Sequence, residues 1–245
     1  MRTYVIGDIH GHRDKLQAAH RLIAKDRAEQ GDANAPVVHL GDLVDRGPDS
    51  RGVVDCLLAG LEHGEPWVVL KGNHDRMFSG FLDDPDYHDP GLRAELNWTH
   101  PRLGGAETLA SYGVTGVGET FLSDIAAQAR LKVPVAHRDF LAGLETSFAR
   151  GQALFVHAGI RPGVPVERQT ETDLVWIRAP FLEDTRDHGV LVVHGHTPVE
   201  QVTHYGNRLN VDTGAGYGKA LSAIVVEGQV AWLLTPRGRV PLRHE

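Results

Sequence analysis

Short apolar runs recur along the chain, and each stops abruptly in glycine with aspartate, asparagine or histidine. Tyr4 to Ile6 precede Gly7-Asp8, Val37 to Leu40 precede Gly41-Asp42, and Val68 to Leu70 precede Gly72-Asn73-His74. Leu154 to Val156 precede His157-Ala158-Gly159, and Val190 to Val193 precede His194-Gly195-His196. Runs this short and rich in β-branched residues predict buried strands. Their carboxyl ends then carry the polar side chains, which is where α/β sheets place ligands. Between the first strands the spacing becomes helical. Leu16, Ala19, Leu22 and Ile23 share one face of a helix over 14–30, and Val53, Val54, Leu57, Leu58 and Leu61 share one face over 49–62. The second helix opens at Pro48-Asp49-Ser50 and stops at Gly64, in keeping with helix start and stop chemistry. Two βα units and a third strand therefore fill the first 75 residues. Leu209 to Val211, Ala220 to Val226 and Val230 to Leu234 predict strands joined by glycine-rich turns, an antiparallel meander. The class is mixed α/β, or α+β in some schemes.

Residues 76–150 break this rhythm. Leu82 to Gly91 has loop composition, and helices are predicted around 105–112, 119–130 and 136–146. The stretch reads as a helical, cap-like insertion within a single domain over 1–245, since no linker or repeat divides the chain. Its Phe78, Phe81, Tyr87, Trp98 and Tyr112, with Arg93 and Arg102, either wall a cleft or pack the insertion itself.

Composition narrows the chemistry. The chain holds one cysteine, fifteen histidines, and 25 Lys plus Arg against 32 Asp plus Glu, a formal net charge of -7. A lone Cys56 excludes an intramolecular disulfide and a thiolate-rich metal site, so any metal must rest on nitrogen and oxygen donors. Cys56 itself lies inside the second amphipathic helix and is expected in the core. Net acidity argues against a broad nucleic-acid footprint, which rests on Lys and Arg neutralising phosphates. No apolar run is long enough to cross a membrane, and a cytoplasmic monomer is expected.

Each Gly-Asp dipeptide alone reads as a turn or helix cap; together they say more. Asp8 and His10 stand at i and i+2 of an extended segment, on one side of it, which suits two ligands to one ion. Asp42 ends the next strand, Asn73 the third, and His157 and His196 two later ones. Six N/O donors at strand ends suit a pair of divalent metals, with Asp42 able to bridge because a carboxylate has two oxygens.

The motifs Asp8-Ile9-His10-Gly11, Gly41-Asp42-Leu43-Val44-Asp45-Arg46-Gly47 and Gly72-Asn73-His74-Asp75, then His157-Ala158-Gly159 and Gly195-His196-Thr197-Pro198, closely resemble those of the calcineurin-like metallophosphoesterases. Within that superfamily they resemble the phosphoprotein phosphatases in their small bacterial and phage form. The motifs run in the expected order over residues 7–214, nearly the whole chain. The resemblance implies a four-layer α/β/β/α sandwich with the insertion over the site. It assigns Asp8 and His10 to a first metal, Asp42 to the bridge, and Asn73, His157 and His196 to a second. Manganese is the metal it implies, while iron and zinc suit the same donors. Two such ions can activate a shared water for in-line attack on phosphorus. His74 matches the family's non-ligand histidine, the general acid for the leaving alkoxide, with Asp45 orienting it. Arg46 and Arg178 would hold the phosphate oxygens with planar forks, although Arg161 competes with Arg178.

The other histidines receive blander readings. His194 is expected to pack beneath the site, and His12 to cap or flank the first helix. Asp212 and Tyr217 are either structural or in contact with substrate. The activity implied is hydrolysis of phosphoserine and phosphothreonine, extending to phosphotyrosine. The alternative is symmetrical diadenosine tetraphosphate hydrolysis or a related nucleotide phosphoesterase activity. The Asp45-Arg46 pair favours the first. The departure of 76–150 from the eukaryotic phosphatases weighs against protein substrates. The expected partner is thus a phosphorylated protein or a small phosphoester, with neither stable nucleic-acid binding nor membrane association. A catalytically dead binding module would have lost a ligand, the acid or the clamp, and here every position is filled.

Overall fold

The computed structural model describes residues 1–244. The chain begins β1 (Arg2–Ile6), α1 (Arg13–Gln30), β2 (Val37–His39), α2 (Ser50–Glu62) and β3 (Trp67–Val69), the two βα units and third strand expected from the periodicity. Four helices follow, α3 (Asn73–Asp83), α4 (Gly105–Ser111), α5 (Leu122–Lys132) and α6 (Val135–Ala142), then β4 (Ser147–Arg150) and β5 (Ala153–Val156). Two short helices, α7 (Glu171–Trp176) and α8 (Ala179–Leu182), precede β6 (Leu191–His194), β7 (Thr203–His204) and β8 (Arg208–Asn210). The chain closes with β9 (Ala223–Glu227), β10 (Val230–Thr235) and β11 (Gly238–Leu242).

The strands form a six-stranded sheet, β11-β10-β9-β1-β2-β3, and a five-stranded sheet, β4-β5-β6-β8-β7. In the first, β1, β2 and β3 run parallel, with Tyr4 opposite Val37 and Val37 opposite Trp67. The side-chain period of two sorts each strand between layers. Tyr4, Ile6, Val37 and Val225 face α1 and α2, where Leu16, Ile23, Val53 and Leu57 pack on them. Val5, Val38, Ile224 and Val226 point the other way, onto Phe155, Leu191, Val193 and Leu209 of the second sheet. Leu154, Val156 and Val192 cover that sheet's far face, beneath Leu174, Ile177 and Phe181. The result is the four-layer α/β/β/α sandwich.

Three details depart from the sequence reading. Of the expected meander only the β9–β10 pairing holds, and an unpredicted β11 extends it; β8 lies in the other sheet, parallel to β6 with Val193 opposite Leu209. A helix occupies Asn73–Asp83, where Met77, Phe78, Phe81 and Leu82 recur at helical spacing and are buried. The helix expected to reach 146 ends at Ala142 before Gly143, because the chain then extends into β4 and pairs antiparallel to β5. Phe78, Phe81, Trp98 and Tyr112 pack in the same core as α1 and α2, whereas Arg93 and Arg102 line a surface cleft.

Candidate metal centre and its adjoining cleft

The predicted donors collect at one end of both sheets. Asp8 and His10 follow β1, Asp42 follows β2, Asn73 opens α3 beyond β3, His157 follows β5, and His196 follows β6. The backbone there is unusual. Among the described residues, the non-glycine residues with positive φ are His10 (46°), Asp42 (48°), Asp45 (73°), Arg46 (67°) and His196 (68°). An L residue in the left-handed region costs roughly 1–3 kcal/mol, so the surrounding hydrogen bonds must overdetermine each turn. The Asp42 carbonyl accepts from the backbone N–H groups of Ile9 at 3.1 Å and His10 at 2.8 Å. The buried Asp75 carboxylate accepts from Leu43 N–H at 2.9 Å and Gly72 N–H at 2.8 Å, which clamps the Asp42 turn to the start of α3. A side chain at Gly72 or Gly195 would collide with the carboxylate of Asp42 or Asp8.

Within this frame Asp42 sits between two histidine pairs. Donor atoms of His10, Asp42 and His74 lie within 4.8 Å of one another, as do those of Asp42, His157 and His196. His10 Nε2 lies 3.4 Å from Asp42 Oδ2, and His157 Nε2 lies 3.4 Å from Asp42 Oδ1. The Nδ1 of each ring faces a carbonyl, Val44 O for His10 and Leu40 O for His157, both at 2.9 Å. Those contacts assign the proton to Nδ1, leaving both Nε2 lone pairs aimed inward. His157 Nε2 also lies 3.0 Å from Asn73 Oδ1, so three acceptors converge there. Asp8 Oδ1 and His196 Nε2 are buried without a hydrogen-bond partner. Converging acceptors and orphaned donor atoms of N/O type fit divalent cations.

The electrostatics agree. Burial pushes the Asp8 carboxyl well up, and the neighbouring Asp212 and Asp42 add to it. Asp212 is pushed up to about 6, by burial first and by the charge of Asp42. Burial drives His10, His157 and His196 below the usual imidazole range, which keeps them neutral as ligands must be. Asp42 is held low although burial opposes it, because His157, His74, His10 and His196 surround it. Three crowded carboxylates and neutral imidazoles make a pocket that positive charge stabilises.

His74 is placed differently from the other histidines. Its Nδ1 donates to Asp45 Oδ2 at 2.6 Å, and its Nε2 faces the Arg46 guanidinium at 3.0 Å. The Asp45 carboxylate also accepts from Trp98 Nε1 at 2.8 Å and Thr108 Oγ1 at 2.7 Å. Neither residue belongs to a motif legible in the sequence, and both come from the segment between α3 and β4. Asp75, inside Gly72-Asn73-His74-Asp75, carried a signal that motif matching left unused. Arg46 also reaches His10 Nε2.

Arg46 opens onto a cleft of about 700 Å³ that Arg93, Arg102, Arg161, Arg178, Trp176 and Tyr217 also line. Arg178 precedes α8 and is exposed, and Arg161 pairs with Asp173. Tyr217 is 61% exposed and its ring lies 4.7 Å from the Arg46 guanidinium. Asp212 is buried and accepts from Gly214 N–H at 2.8 Å. His194 is buried against Phe181, with ring centroids 5.1 Å apart. His12 stands at the start of α1 without a side-chain capping bond, and Cys56 is half-buried at the core's edge.

A sandwich of this topology, with N/O donors gathered at its strand ends beside an arginine cleft, defines a metallohydrolase. Residues 1–225 match the calcineurin-like phosphoesterase family, and the chain belongs to it. It is 26% identical over 243 residues to the asymmetrical bis(5'-nucleosyl)-tetraphosphatase PrpE of Anoxybacillus flavithermus, covering 90% of this chain and 88% of that one. The PrpE of Halalkalibacterium halodurans is 27% identical over 248 residues, covering 91% and 89%. The cold-active protein-tyrosine phosphatase of a psychrophilic Shewanella shares the fold, with a TM-score of 0.64 at 16% identity over 99% of this chain and 80% of that one. Among the described residues, no helix is long and apolar enough to cross a membrane.

Proposed function

We propose that this phosphoesterase hydrolyses dinucleoside polyphosphates of the diadenosine tetraphosphate kind, dividing them unequally. The observation that carries this reading is the similarity to asymmetrical tetraphosphatases over about nine-tenths of both chains. It favours the nucleotide alternative over phosphoserine and phosphothreonine, and unequal over symmetrical products. In this reading Asp8, His10 and Asp42 hold one divalent cation and Asp42, Asn73, His157 and His196 a second, manganese being the proposed metal. Such a pair supplies an activated water and positive charge on the phosphoryl oxygens.

The chain's own residues do the rest. Arg46 stands where a phosphate between the donors and the cleft would lie, and its fork suits two phosphate oxygens. Arg178, which lines the same cleft, completes the clamp in this reading. His74 holds its Nδ1 proton on Asp45, so a second proton at Nε2 is the one available to the departing oxygen. Asp45 fixes the ring's orientation through that contact.

The test compares kcat/KM, with manganese present, on diadenosine tetraphosphate and on phosphoserine, phosphothreonine and phosphotyrosine peptides. Products are separated by anion exchange. Faster turnover of the dinucleotide, giving AMP and ATP, is expected. Higher kcat/KM on any of the peptides would overturn the nucleotide reading, and two molecules of ADP would overturn the unequal split.

A further inference from the structure

The cleft is lined by α7 and α8 and by the loop between α3 and α4. That loop is fixed to the body of the protein. Asp89, buried within it, receives two hydrogen bonds from Arg76 of α3, each 2.7 Å long. Arg76 also reaches Thr172 of α7 at 3.2 Å. Both walls are therefore tied to one guanidinium. Beyond this anchor the loop presents Arg93 and Arg102, both exposed. Among the described residues, the side chains of Arg93, Arg102 and Arg178 have neither a carboxylate partner nor a hydrogen bond, whereas Arg161 is paired with Asp173. Three unpaired guanidinium groups thus line one cavity of a protein with net charge -7. Together they suit an anion with several charged groups in a row.

The cleft does not end at Arg102. A second hollow of about 480 Å³ lies beside it, and Arg46, Arg102 and Tyr217 line both. A ligand clamped at Arg46 thus has room on either side. In the larger hollow the half-buried Trp176 lies edge-on to His196, with centroids 5.7 Å apart, so one aromatic wall reaches from the donor cluster into the cleft.

We propose that this cleft is the site for the part of the phosphate chain beyond the phosphate under attack, with Arg93 and Arg102 as specificity-determining residues and Trp176 as the surface for a nucleobase. The inference rests on the nucleotide reading above and assigns it residues. Its chemical consequence concerns the leaving group. When water adds to phosphorus, a new P–O bond forms, the water gives up a proton to solvent, and the phosphoanhydride P–O bond breaks with its electron pair leaving on a phosphate oxygen of the departing nucleotide. That oxygen needs charge neutralisation more than a proton, and guanidinium groups provide it. A simple alkyl phosphate lacks the extra phosphates and depends on protonation instead.

The experiment uses the full-length, manganese-loaded protein and the double variant Arg93→Gln/Arg102→Gln. These side chains are exposed and unpaired, so the fold does not depend on them, and circular dichroism verifies it. Calorimetric titration with inorganic tripolyphosphate is expected to show affinity weakened about tenfold or more, with orthophosphate affinity changed far less. The kcat/KM for diadenosine tetraphosphate is expected to fall about 30-fold more than that for p-nitrophenyl phosphate. Unchanged tripolyphosphate affinity, or equal losses on both substrates, overturns the inference. A variant that loses a preference for phosphopeptides with acidic flanks, while keeping its tripolyphosphate affinity, also overturns it in favour of a protein substrate. A wild type that binds tripolyphosphate through these arginines but leaves diadenosine tetraphosphate intact supports the chain site and overturns the nucleotide reading alone.

Discussion

The strand-end loops and the segment between α3 and β4 meet at the same pocket, but they are made differently. The loops are short, buried and conformationally costly. All five positive-φ non-glycine residues among the described residues lie in them, and their hydrogen bonds run largely from backbone to backbone or to Asp75. The intervening segment is helical and packs by ordinary apolar burial. It touches the pocket through a few side chains: Trp98 and Thr108 on Asp45, and Arg93 and Arg102 at the cleft. The comparison separates two tasks. The loops fix where charge is concentrated, and the helical segment fixes how Asp45, and through it His74, is held and what lines the adjoining cleft.

The largest effect should come from a loop. Asp42→Asn removes the charge shared by both histidine pairs, and activity on every substrate is expected to fall by roughly three orders of magnitude or more. Elemental analysis should find fewer than two ions per chain. A variant that keeps two ions would break the assignment of Asp42 as the bridge.

A smaller effect should mark the boundary between the two regions. His74→Asn is expected to lower kcat on alkyl phosphomonoesters by about 10²–10⁴-fold, and on p-nitrophenyl phosphate much less, because that leaving group scarcely needs a proton. Trp98→Phe keeps the stack on Phe78, where the rings lie 5.1 Å apart, and deletes only the hydrogen bond to Asp45. It should reproduce the same leaving-group dependence at about tenfold in kcat, with KM nearly unchanged. Equal losses on both substrates would mean that Trp98 acts through packing alone.

The smallest effect lies outside both regions and serves as their reference. His20 Nε2 and His39 Nε2 are 2.9 Å apart between α1 and β2, with His20 stacked on Trp67. Burial, then Arg27, lowers His20 from 6.5 to about 4, and burial likewise depresses His39. A histidine held neutral in the fold takes up a proton on unfolding, so this stability is complete above pH 6.5 and is lost as the pH falls towards 4. The melting temperature should drop over that window, and His20→Phe should flatten the drop. Because the whole fold loosens, activity on all substrates should decline together there.

Much of this was legible before any coordinates. The strand ends could be read because a buried strand must be apolar and the polar residue that terminates it stands out by contrast. Asp8, Asp42, Asn73, His157 and His196 stood out in that way as residues beyond strand ends, and the structure brings them together with His10; their roles as ligands came from the resemblance of the motifs. Trp98 could not, since an indole that donates to Asp45 has the same sequence signature as one that only packs. The sheet membership of β8 was equally hidden: Arg208–Asn210 is three residues long, and its partner is decided by the tertiary approach of β6. The α3 helix was written in the spacing of Met77, Phe78, Phe81 and Leu82 but masked by the motif at its start.

The position of β1 also bears on how the molecule is made. Tyr4 pairs with Val37 on one side and with Val225 on the other, so the strand that delivers Asp8 and His10 stays half-paired until residues 223–227 emerge from the ribosome. A chain interrupted before Ala223 would contain every residue of the pocket and still present β1 as an open edge, a template for aggregation. Residues 223–227, which lend no side chain to the donor cluster, thereby complete the pairing of the strand that carries Asp8 and His10 to it.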